Sequence, residues 1–94
     1  MFYWVIYDIS DDRTRSKVSD KCKDYGLLRI QKSAFLGKIT KNKVEMLISE
    51  ISPLIKEKDK VFAVPACISC YDSKITKGHF EDVKLYKNFI ILSG

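Results

Sequence analysis

The chain is short of cysteine, histidine, glycine and proline, and each shortage removes a class of function. Three cysteines are an odd number, so they do not frame a secreted disulfide domain, and the reducing cytoplasm is the expected compartment. The single histidine, His79, has no evident partner, and no Ser-His-Asp set can be assembled around it. Four glycines form neither a phosphate-binding loop nor a dinucleotide fingerprint. No apolar run approaches the roughly 20 residues that cross a bilayer. The apolar start, MFYWVIYDIS, is neither preceded by a basic segment nor followed by a small-residue cleavage site, so it reads as a strand rather than a signal peptide. No basic, aromatic-rich amphipathic helix is evident, and a membrane is not an expected partner.

What the chain does have is charge. Its 94 residues carry 17 Lys and Arg against 12 Asp and Glu, a net charge of +5 that suits an anionic partner such as nucleic acid. The length makes one domain. A chain this short buries only about 60–65% of the surface its unfolded form exposes. Small domains with so modest a core often recruit a second subunit.

The strand Phe2 to Ile9 is apolar on both faces, with Phe2, Trp4 and Ile6 on one and Tyr3, Val5 and Tyr7 on the other, which marks a central strand. Ser10-Asp11-Asp12 signals a helix start, and Val18, Cys22 and Tyr25 give the apolar stripe of a helix over Asp12 to Tyr25. Gly26 fits its left-handed cap. Leu27 to Ile39 is extended, and its alternation slips near Gln31-Lys32-Ser33, which reads either as a bulge or as a tight reversal between two short strands. A second helix is expected over Lys41 to Ile55, capped by Thr40 and ended or kinked by Pro53. Lys60 to Ala66 alternates as a strand, with Pro65 suited to its end or to a sheet edge. Cys67 to Lys77 is a polar stretch closed by Gly78, and Lys84 to Leu92 reads as one further strand.

The predicted class is α+β, a ferredoxin-like βαββαβ sheet over residues 1–82 with an extra C-terminal strand in 83–94. Two helices cover one face of such a sheet, and the other face, apolar as well, needs a cover. That predicts a homodimer packed through its sheets. The extra strand is suited to exchange onto the partner's sheet edge.

Asp8 is the leading candidate for chemistry. It ends a central strand after six apolar or aromatic residues, where a carboxylate is costly to bury without a partner. A turn or capping role is its plain alternative. Magnesium is commonly held by one or two carboxylates plus phosphate oxygens and waters, so two Asp8 side chains in a symmetric dimer suffice for one cation. Asp11 and Asp12 are explained by capping and by the helix dipole. Arg13, Arg15 and Lys17 oppose that dipole, so a phosphate contact is a reason for their presence; pairing with Asp11, Asp12 or Asp20, or plain solvation, is the other. Arg29, Lys32 and Lys38 extend a basic track across the sheet. Phe35 is either core or a platform for a base, with core the simpler reading. Cys67-Ile-Ser-Cys70 is an isolated C-x-x-C whose only further candidates for a zinc set are Cys22 and His79, and two ordinary loop cysteines is its plain reading.

Tyr7-Asp8-Ile9-Ser10-Asp11-Asp12-Arg13-Thr14-Arg15-Ser16-Lys17-Val18 resembles the opening signature of the CRISPR-associated protein two (Cas-two) nuclease family: an apolar strand ending in Tyr-Asp, an acidic helix start, then Arg-x-Lys-Val. Tyr25-Gly26-Leu27 and Arg29-Ile30-Gln31-Lys32-Ser33-Ala34-Phe35-Leu36-Gly37 are similar to that family's Tyr-Gly, Arg-x-Gln-x-Ser and Phe-x-Gly run, and Pro65 to Cys70 to a stretch found in some members. The resemblance implies a ferredoxin-like homodimer that exchanges its last strand. It implies a metal-dependent endonuclease acting on single-stranded RNA or duplex DNA, with Asp8 of each subunit on magnesium. Tyr7, Arg15, Arg29 and Phe35 fall on other recurrent positions. It further implies a bridging role between CRISPR integrase (Cas-one) subunits during spacer insertion. Some relatives carry a further acid where this chain has Ser10, which leaves Asp8 as the only strand-end carboxylate here.

Overall fold

The computed structural model describes residues 1–78 and the backbone of strands 83–86 and 89–92. Its elements are β1 (Phe2–Asp8), α1 (Asp12–Asp24), β2 (Leu28–Gln31), β3 (Ala34–Lys38), α2 (Lys41–Ile51), a 3-10 turn (Ser52–Leu54), β4 (Lys60–Ala66), α3 (Ile68–Asp72), β5 (Val83–Tyr86) and β6 (Phe89–Leu92). The main sheet has the order β2-β3-β1-β4, and all of its pairings are antiparallel. That is the ferredoxin-like arrangement. No helix among the described residues is long and apolar enough to cross a membrane.

Local chemistry sets the helix ends. Asp11 caps α1, accepting from the Thr14 backbone N–H at 2.8 Å and its hydroxyl at 2.9 Å. These bonds, the backbone one foremost, hold the Asp11 carboxyl below the usual carboxylate range. At the other end Gly26 takes φ +82°, and the Leu27 N–H reaches the Cys22 carbonyl at 3.1 Å. A residue with a Cβ is strained in that conformation. Thr40 caps α2, accepting from Lys43 N at 3.2 Å. Pro53 supplies no backbone N–H, and the chain tightens from α2 into the 3-10 turn, four residues before the expected helix end.

The slip between Leu27 and Ile39 resolves into both alternatives at once. Lys32 and Ser33 form a reversal between β2 and β3, and the register shifts between Arg29 and Gln31.

Alternate residues of β1 face two cores. Tyr3, Val5 and Tyr7 pack with Val18, Cys22, Phe35, Leu47 and Ile51 beneath α1 and α2. On the other face Phe2 packs with Ile30, Leu36 and Tyr71. Tyr71 corrects the reading of Cys67 to Lys77 as a plain polar stretch, because it belongs to α3 and is buried, its ring 6.0 Å from Trp4. The second face is therefore covered at one end from within the chain. Ile6 remains half-buried, and Phe62 and Val64 stay exposed on β4. The expected single extra strand is instead two, β5 and β6, paired antiparallel with each other. His79 lies outside the described residues.

Candidate nucleic-acid and metal site

β1 is longer than its neighbour. β3 pairs with it from Phe2 to Ile6, whereas β4 pairs as far as Tyr7 with Val61 and Asp8 with Lys60. Tyr7 and Asp8 thus extend past β3, and consecutive side chains on a strand point to opposite faces. Tyr7 is buried on the helix side, its ring stacked 6.3 Å from that of Phe35. Asp8 is exposed at the end of the open face, the face of Ile6 and Phe62. It accepts no hydrogen bond and makes no ion pair among the described residues. The turn that follows is capped by Asp11, not by Asp8, so the capping explanation of Asp8 falls away.

The loop after Asp8 is held from two sides. Arg15 donates through Nη1 to the carbonyls of Ile9 at 3.0 Å and Ser10 at 3.1 Å, and its Nη2 pairs with Asp12. Of the two readings of Arg15, phosphate contact or pairing with a neighbouring acid, the structure shows the pair with Asp12, and its bonds to the loop carbonyls make it a positioning residue. From the other side Asp59 accepts from Ser10 N at 3.4 Å and from Lys56 N at 2.9 Å. Asp59 is buried, and nothing in its charged surroundings Lys56-Glu57-Lys58-Asp59-Lys60 distinguishes it in the sequence. Asp59→Ala leaves both N–H groups without this acceptor. A loss of about 1–3 kcal/mol is expected in urea denaturation.

On the helix side a cleft of about 380 Å³ opens between α1 and the β2–β3 turn, lined in part by Tyr7, Ser19, Lys23, Arg29 and Lys32. Arg29 donates to Ser19 Oγ at 3.1 Å and lies 5.5 Å from the centroid of the Phe35 ring. Lys32 projects from the turn. Lys23 was missed in the sequence, although Ser16, Ser19, Asp20 and Lys23 recur at helical spacing and form the α1 wall of this cleft. Phe35 is 0% exposed, so no ring face is open to a base and its role is core.

The fold does not gather all of the basic residues in one place. Lys38 pairs opposite Phe2, at the far end of β1 from Asp8, a separation of about 20 Å along a strand. Arg13 and Lys17 are exposed on α1 and do not line the cleft. The cations that line the cleft are Arg15, Lys23, Arg29 and Lys32, with Asp12 and Asp20 among them, across the sheet from Asp8.

A family model described as CRISPR associated protein Cas2 matches residues 1–74. The chain belongs to the Cas2 family. The CRISPR-associated endoribonuclease Cas2 1 of Archaeoglobus fulgidus is 34% identical over 76 residues, which cover 80% of this chain and 81% of that relative. A CRISPR-associated endonuclease Cas1/endonuclease Cas2 fusion from Thermoproteus tenax is 36% identical over 56 residues, 60% of this chain and 21% of the fusion. Among solved structures, Streptococcus pyogenes Cas2 superposes with a TM-score of 0.70 at 24% identity, covering 83% of this chain and 100% of that one, which shows a shared Cas2 fold.

Within that fold the donor set can be tested against a metal. Among the described residues no three His, Cys, Asp or Glu side chains gather in one place. A closed structural zinc site takes four protein ligands and does not fit. Magnesium keeps most of its waters and takes one or two carboxylates with substrate phosphates, and a single exposed Asp8 does fit half of such a site.

Proposed function

We propose that this Cas2-family chain is a metal-dependent phosphodiesterase of the CRISPR system, acting on single-stranded RNA or duplex DNA as a homodimer packed through the open sheet faces. The observation that carries this reading is Asp8: an exposed carboxylate without a partner among the described residues, at the end of a face that still exposes Phe62 and Val64. Covering those side chains with a second copy buries apolar surface and doubles the acid. Asp8 from each copy would then flank one magnesium ion. Bound there, the cation supplies a Lewis acid for a phosphoryl oxygen and lowers the pKa of a coordinated water.

The rest is the work of the chain itself. Arg15 and Asp59 fix the Ile9–Ser10 backbone, and with it the direction in which Asp8 projects. Arg29, Lys32 and Lys23 offset phosphate charge in the cleft on the helix side of the same sheet. The test is cleavage of labelled single-stranded RNA and duplex DNA over a magnesium titration, with a chelator control. Cleavage should rise with magnesium and stop on chelation. Cleavage indifferent to the chelator overturns the metal assignment.

A second reading, a bridge that binds duplex DNA and Cas1 without cutting, is favoured by one arrangement. The basic cleft lies on the helix side of the sheet and Asp8 on the other, so phosphates can be gripped without approaching the acid. The relative that joins Cas1 and Cas2 in one chain supports the same partner. Spacer insertion with Cas1 separates the two readings. The bridge requires insertion to survive Asp8→Asn and to fail with Arg29→Ala and Lys32→Ala combined.

A further inference from the structure

One motif takes no part in either reading. β4 ends at Ala66, and Cys67 caps α3, its Sγ accepting from the Cys70 backbone N–H at 3.1 Å. The Ser69 hydroxyl lies 3.3 Å from the same sulfur, and both thiols are exposed. A three-residue spacing in one turn brings Cys70 back beside Cys67, where its backbone N–H reaches the Cys67 sulfur. No third metal-ligating side chain stands beside the pair among the described residues, so what it offers is dithiol chemistry.

We propose that Cys67 and Cys70 are a thiol–disulfide exchange pair, Cys67 attacking and Cys70 resolving, with low-molecular-weight disulfides of the glutathione class as the reactant. In the first step the Cys67 thiolate bonds to one sulfur of the small disulfide, and the other sulfur leaves as a thiolate that takes a proton from water. In the second step Cys70 gives up its proton, its sulfur bonds to that of Cys67, and the second small thiolate leaves. The protein loses two hydrogen atoms, and one small disulfide becomes two thiols. Attack requires a thiolate and access. Hydrogen bonds, that from Cys70 foremost, lower the Cys67 thiol to about 7, while donating to Cys67 raises Cys70. Cys22 is the internal contrast: burial pushes it to about 12 and keeps it out of reach.

The exchange has a structural consequence in this fold. Tyr71 follows Cys70 directly and covers one end of the open sheet face beside Trp4 and Phe2. A Cys67–Cys70 bond pins the first turn of α3 and hence the ring that covers that end.

Intact-mass analysis after incubation with oxidised glutathione tests the pair. Wild type should lose two hydrogens without keeping an adduct. Cys70→Ser should accumulate a stable glutathione adduct on Cys67. Cys67→Ser, which keeps a good capping residue, should react at least about tenfold more slowly. The proposal is overturned if Cys67→Ser reacts as fast as wild type, if wild type holds the adduct without closing, or if the disulfide forms between two chains instead.

Discussion

Asp8→Asn is expected to leave the protein folded and to lower metal-dependent phosphodiester cleavage by about a hundredfold or more. The two halves of that expectation come from different observations. The Asp8 side chain is exposed and bonded to nothing among the described residues, so its replacement disturbs neither packing nor a hydrogen-bond network. Surface changes of this kind stay within about 0.5 kcal/mol. Asparagine preserves the shape but removes the charge on which the proposed metal site depends, and in the proposed dimer it does so twice. Single-turnover cleavage and urea denaturation of the same preparations measure both halves. Undiminished cleavage by a pure variant removes Asp8 from the site. A large fall in stability would mean that Asp8 is structural.

Phe35→Ala should cost about 3–5 kcal/mol, the range for deleting a fully buried aromatic ring. Natural domains hold only about 5–15 kcal/mol in total, so a chain this small is brought close to unfolding. The ring is 0% exposed, sits 6.3 Å from Tyr7 and supports the Arg29 guanidinium at 5.5 Å. Its loss should therefore loosen the basic cleft as well as the core. Phe35→Leu separates packing from base stacking: it should recover most of the stability and of the RNA affinity, because volume is what the site requires. A leucine variant that is stable yet no longer binds RNA would restore a stacking role to this ring.

How legible these features are in the sequence depends on how local their causes are. β4 is bounded at Lys60 and Ala66 as expected, because period-2 alternation and a proline are local signals. The caps at Asp11, Gly26 and Thr40 are legible for the same reason. α3 is not: five residues are too few to show a helical period, and its cap is a cysteine rather than Ser, Thr, Asp or Asn. The assignment of Phe35 to the core waits on the packing of α1 over β3. Asp59 is one charge among five consecutive charged residues until the fold carries it beneath Ser10. Asp8 is legible as an acid after an apolar strand, but that it does no capping becomes visible only once Asp11 is seen to take that role. The basic residues are legible in number and not in grouping. Lys38 and Arg29 occupy neighbouring strands, yet the antiparallel register sends Lys38 to the opposite end of β1.

Pro65 lies on β4, the outermost strand of the sheet beside β1. Proline in such a strand turns its nitrogen side to solvent and offers no hydrogen there. A foreign backbone laid along that flank would find a ladder with a rung missing near its upper end and a lysine ammonium at its foot. A missing donor and a terminal charge on one edge strand work against edge-to-edge pairing of that kind.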